Sequence, residues 1–132
     1  MNTKILLTAS AILLGIIGIG LSFLPAEVLT ILHLKTSQTS ALLMQLLGAL
    51  YLGFGMMNWM AKDSIIGGIY NKPLVIGNLM HFAIGAITLL KVAFNLKASK
   101  EVLIPLTIIY TVFALGYTIV FTTTPKAVNT NV

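Results

Sequence analysis

Four apolar runs, residues 5–24, 41–61, 74–96 and 102–121, take up most of this 132-residue chain. Each approximates the ~20 residues that carry an α-helix, at ~1.5 Å per residue, across ~30 Å of hydrocarbon. Helices that are apolar on most of their surface have no use for water, and lipid is the solvent that suits them. With 58% hydrophobic residues, 8% charged residues and a mean hydropathy of +1.00, too little polar sequence is left over to build a soluble domain. The expectation is an all-α fold: an integral membrane antiparallel four-helix bundle, a single domain over residues 1–132.

The connections refine that picture. The first run breaks at Pro25, and residues 25–34 read as a short helix with Pro in its first turn and Glu27, Thr30 and His33 on one side. It is expected to rest in the membrane interface rather than cross it. Residues 36–40, Thr-Ser-Gln-Thr-Ser, form a polar turn that can cap the second span. Residues 63–73 hold Ile65, Ile66 and Ile69 around Gly67-Gly68, a pattern for a loop turned back on the membrane surface, with Asn71 opening the third helix. Residues 97–101 are a short turn that makes spans three and four antiparallel neighbours, and a Thr- and Asn-rich tail follows the fourth. The start, Met1-Asn2-Thr3-Lys4, has the basic head of a signal peptide, but the apolar run after it is too long and ends on bulky residues. It is read as an uncleaved first span.

The net charge of +5 comes from eight Lys and no Arg, all but Lys91 in loops or tails. Charge spread this way flanks membrane helices and is not a nucleic-acid patch. Lys4, Lys62, Lys72 and Lys126 fall on the side of the termini, against Lys35, Lys97 and Lys100 on the other, so the expected location is the cell membrane with cytoplasmic termini.

At 100° per residue every span shows a stripe of small or polar residues. In the first it is Ala11, Gly15, Gly18 and Ser22, a small-xxx-small spacing that lets another helix come close. The second has Gln45, Gly48, Tyr51, Gly55, Asn58 and Trp59; the third has Asn78, His81, Gly85, Thr88 and Asn95. The fourth has Thr107, Tyr110, Thr111, Ala114, Tyr117, Thr118 and Thr122. Helix packing is assigned to Ala11, Gly15, Gly18, Ser22, Gln45, Gly48, Gly55 and Gly85. Counting levels from the loops brings Asn58, Trp59, Asn78, His81 and Tyr117 together, with Thr8 and Ala11 of the first span at the same height. These five are the candidate ligand-binding cavity, opening toward Tyr70 and Asn71. The competing reading is that interhelical hydrogen bonds from such residues, ~0.6–2 kcal/mol each, hold a small bundle in register. His81 stands apart because imidazole can shuttle a proton or take a ligand, whereas Lys91 can snorkel to the interface.

Much chemistry is excluded. The absence of Cys removes disulfides, thiolate metal sites and dithiol redox chemistry, including the thiol motif of membrane quinone reductases. Two His, with Glu27, Asp63 and Glu101 all outside the spans, make no metal site, and no cofactor is implied. Without an intramembrane carboxylate a proton-coupled exporter is disfavoured, and without Arg so is a site for phosphate or glutathione. The closely spaced glycines of residues 15–20 belong to packing within a span, not to a nucleotide loop.

Residues 24–29 (LPAEVL), 46–55 (LLGALYLGFG), 58–60 (NWM), 67–73 (GGIYNKP) and 77–82 (GNLMHF) resemble the small four-span bacterial membrane proteins grouped as domains of unknown function. The resemblance implies a fold and a bacterial inner membrane, and no activity.

The chain is accordingly read as a nonenzymatic small-ligand-binding or accessory subunit of the membrane. The alternatives are an enzyme or carrier handling a lipid-soluble molecule around His81, and an oligomeric scaffold built on the first-span stripe. The partners expected are the lipid bilayer and either another membrane protein or further copies of the chain, with no nucleic acid.

Overall fold

A computed structural model describes residues 2–64, 71–95 and 100–123, with the side chain of Asn95 outside the description. Five α-helices follow in order: α1 (Thr3–Phe23), α2 (Pro25–Ile31), α3 (Gln38–Ala61), α4 (Lys72–Asn95) and α5 (Lys100–Thr123). No strand occurs among the described residues. Four of the helices are long and apolar enough to cross a membrane. The Gly67-Gly68 turn, Tyr70, most of the 97–101 turn and the tail after Thr123 lie outside the described residues.

The helix ends have local causes. Asn2 caps α1, its side-chain oxygen accepting from the Lys4 backbone N–H at 3.1 Å. Pro25 starts α2, where its missing N–H costs nothing. At the other end Leu34 N–H reaches the Leu29 carbonyl at 2.9 Å and His33 N–H the Thr30 carbonyl at 3.0 Å, while His33 takes a left-handed φ of 54°. This is a Schellman stop, with a histidine where glycine is usual. Ser37 and Ser40 exchange side-chain-to-backbone bonds in a capping box that opens α3.

The long helices pack most extensively as two pairs. α1 and α3 run in opposite directions with their backbones in contact, Gly18 meeting Gly48 and Leu52, and Gly55 meeting Ala11 and Gly15. α4 and α5 pair in the same opposed sense, the Tyr110 ring lying on Gly85 and Phe82 stacked on Phe113 at 4.8 Å between centroids. The two pairs then meet along a seam, and the core there comprises Leu7, Leu14, Leu74, Val75, Phe82, Tyr110, Tyr117 and Val120. The divided packing follows from side-chain size: glycine faces let backbones touch within the α1–α3 pair, whereas aromatic and amide side chains hold the pairs apart.

Candidate functional site

One polar residue from each long helix enters the seam at a common level. Ser10 of α1, Asn58 of α3, Asn78 of α4 and Tyr117 of α5 are all 0% exposed. The two amides face each other reciprocally: Asn58 Nδ2 donates to Asn78 Oδ1 and Asn78 Nδ2 to Asn58 Oδ1, both at 2.7 Å. The second N–H of Asn58 goes to Ser10 Oγ at 3.0 Å and that of Asn78 to the Leu74 carbonyl at 2.9 Å. Ser10 gives its proton to the Leu7 carbonyl at 3.0 Å, which leaves the Tyr117 phenol to donate to Ser10 Oγ at 2.7 Å. Every amide hydrogen therefore has an acceptor, as a buried polar network requires. The result is a clasp through all four long helices.

One turn along α4, His81 sits half-buried among aromatic rings. Phe54 stacks on the imidazole at 5.3 Å, Tyr51 and Phe82 meet it edge-on at 5.1 Å, and Tyr110 is tilted at 5.7 Å. The Tyr51 and Tyr110 hydroxyls are 2.5 Å apart, and the Tyr110 hydroxyl lies 3.4 Å from His81 Nε2, a loose contact. Gly85 makes this arrangement possible, because a Cβ there would stand 2.6 Å from the Tyr110 ring.

Of the five residues assigned to a cavity from sequence, Asn58, Asn78 and Tyr117 thus come together in the clasp, His81 lies in the neighbouring aromatic cluster, and Trp59 is elsewhere. Trp59 is 47% exposed on the outer side of α3, with Lys62 Nζ 3.2 Å from its ring centroid. Ser10, the fourth member of the clasp, is absent from the sequence-derived set. Its signal is the spacing of Leu7, Ser10, Leu14 and Leu21, all buried on one face of α1, in which a lone hydroxyl needs a partner.

The packing stripes also divide. Ala11, Gly18, Gly48 and Gly55 lie between α1 and α3, and a Cβ on Gly48 would run into the Ser22 hydroxyl. Gln45 is exposed and reaches the Ser22 carbonyl only at 3.5 Å. A Cβ at Gly15 would meet nothing within 4 Å. On α5, Thr107, Tyr110 and Tyr117 are buried but Thr111, Thr118 and Thr122 face outward. This differs from a stripe turned wholly inward, and the reason is local: each outward threonine bonds the carbonyl four residues earlier at 2.8–3.0 Å, so none needs a partner helix.

At the end of the molecule where α1 starts and α3 stops, Lys4 Nζ lies 2.6 Å from Asp63, both exposed. The hydrogen bond from the Lys4 ammonium holds the Asp63 carboxyl below the usual carboxylate range. Among the described residues no three His, Asp or Glu side chains gather as metal ligands would.

Against known proteins, no family model matches the chain, and no curated protein or solved structure matches it either. The functional reading therefore rests on the residues themselves.

Proposed function

We propose that the chain is a four-span protein of the cell membrane, its long helices forming one antiparallel bundle, and that it acts as a nonenzymatic accessory subunit through its outer helix faces. The observation that carries this reading is the clasp: the buried amides and hydroxyls of the seam are spent on one another, so they serve helix register. The surface supports it too, since large apolar residues such as Ile16, Leu50, Ile87 and Phe94 are exposed around the outside, as a hydrocarbon solvent favours. The likeness to small four-span bacterial membrane proteins is consistent with a fold of this kind and adds no activity.

The test is to place a photo-crosslinking residue at Ile16, Leu50 or Ile87 in the native membrane. The expected result is a discrete adduct with one membrane protein, or with a second copy, from one face only, in a chain that resists alkaline carbonate extraction. Lipid adducts alone at all three positions would sink the accessory reading, and release by carbonate would sink the membrane reading.

A second reading, an enzyme or carrier for a lipid-soluble molecule, is favoured by His81, whose imidazole is ringed by aromatics yet only loosely bonded at 3.4 Å. Under it, His81→Ala keeps the fold and abolishes turnover or transport; under the accessory reading the same change affects stability alone.

A further inference from the structure

The outer side of the α1–α3 pair carries an apolar groove of about 480 Å³. Ala11 and Gly15 of α1 and Gly55 of α3 form its floor, Leu52 and Met56 line α3, and Trp59 stands at one end. From Leu52 to Trp59 it extends about 10 Å along the helix. At Gly18, Gly48 and Gly55 a Cβ would press on the facing backbone; at Gly15, whose own backbone meets Gly55, a Cβ would stand in open space. A mid-helix glycine is destabilising relative to alanine, and packing within the chain gives no return for this one. What the missing side chain leaves is room in the groove.

Charge identifies the occupant. Lys62 holds its ammonium over the Trp59 ring, at the mouth of the groove. Asp63, next in the chain, pairs with Lys4 at 2.6 Å and also feels the Lys62 charge, so these three side chains together carry one net positive charge. A tryptophan and a lysine at the end of an apolar channel match the boundary between headgroups and acyl chains. A second copy fits less well: a two-fold axis along the membrane normal through this groove would bring two Lys62 ammonium groups toward each other.

We propose that the groove seats one acyl chain of an anionic phospholipid, whose phosphate is held at Lys62. This rests on the membrane reading above. The ammonium attracts the phosphate, and a zwitterionic headgroup weakens that attraction by bringing its own cation. One lysine near the surface corresponds to about a five-fold preference for an anionic lipid.

Trp59 is the only tryptophan in the chain and reports on the groove directly. The full chain is reconstituted in vesicles containing phosphatidylglycerol or phosphatidylcholine with brominated acyl chains, and Trp59 quenching is titrated against mole fraction. Expected is about a five-fold preference for brominated phosphatidylglycerol, retained in Lys62→Arg and brought to about unity in Lys62→Gln and in Gly15→Leu, which fills the groove. Thermal unfolding confirms that the Leu variant is folded, and Lys62→Gln carries the test alone if it is not. Equal quenching by the two lipids in the unaltered chain would overturn the assignment while leaving the membrane reading standing, as would a ratio insensitive to Lys62→Gln. Shielding of Trp59 from both lipids together with a cross-linked dimer would assign the groove to a second copy and overturn it as well. A chain that enters neither vesicle would overturn the membrane reading and this assignment with it.

Discussion

Replacing Asn58 by Leu keeps the approximate shape of the side chain and removes its amide. Asn78 then loses both bonds to Asn58 at 2.7 Å and is left with one carbonyl and one N–H unpaired in a fully buried place, while Ser10 loses a donor at 3.0 Å. Losing three interhelical bonds at ~0.6–1.7 kcal/mol each amounts to a destabilisation of about 2–5 kcal/mol. Asn78→Leu is expected to cost a similar amount by stranding Asn58. The double variant is the informative one. With both amides gone no buried polar group of the pair is left stranded, and Ser10 keeps Tyr117 and the Leu7 carbonyl. It should therefore lie within about 2 kcal/mol of the unaltered chain, giving a coupling of at least about 2 kcal/mol between the two positions. Reversible unfolding in mixed micelles by titration with sodium dodecyl sulfate measures all four corners of the cycle. If the double variant loses the sum of the single losses, the amides are not bonded to each other and the clasp is wrong.

Three further outcomes are expected. Gly48→Ala pushes a methyl group into the Ser22 hydroxyl and the α1 backbone and should destabilise by about 1–3 kcal/mol, whereas Gly15→Ala, facing open space, should stabilise by about 0.5–1 kcal/mol; the same micelle titration ranks them. His33→Gly relieves a left-handed residue at the end of α2 and should raise stability by about 1 kcal/mol in thermal unfolding, while His33→Ala should bring no such gain. Because Lys4 lowers the folded pKa of Asp63 below its unfolded value of about 3.9, the stability this pair contributes is complete above that value and is lost as pH falls through the lower folded one. The difference in melting temperature between the unaltered chain and Asp63→Asn should therefore shrink on acidification below about pH 4, and a difference that is flat there would refute the pairing.

The all-helical class and the four long apolar helices were legible in the residues alone, because a run of ~20 apolar residues has one economical backbone solution, each N–H bonded four residues back. The local stops were legible too: Pro25 favours the first turn of a helix, and Ser37 with Ser40 can close a capping box without help from the rest of the chain. Partners were another matter. Helical periodicity places Tyr117 and Thr118 next to each other on one stripe, yet the fold buries the first against Ser10 and turns the second outward onto its own Ala114 carbonyl. Likewise Gly15 and Gly18 share a face on paper, but a Cβ at Gly18 would strike α3 whereas one at Gly15 would stand in open space. A period of 3.6 residues defines a stripe to within a broad arc, whereas a hydrogen bond or a glycine contact depends on a few tenths of an ångström and on the rotation of the facing helix. That rotation is set jointly by all the helices, so Ser10 enters the clasp, and Trp59 leaves it, only once the tertiary structure exists.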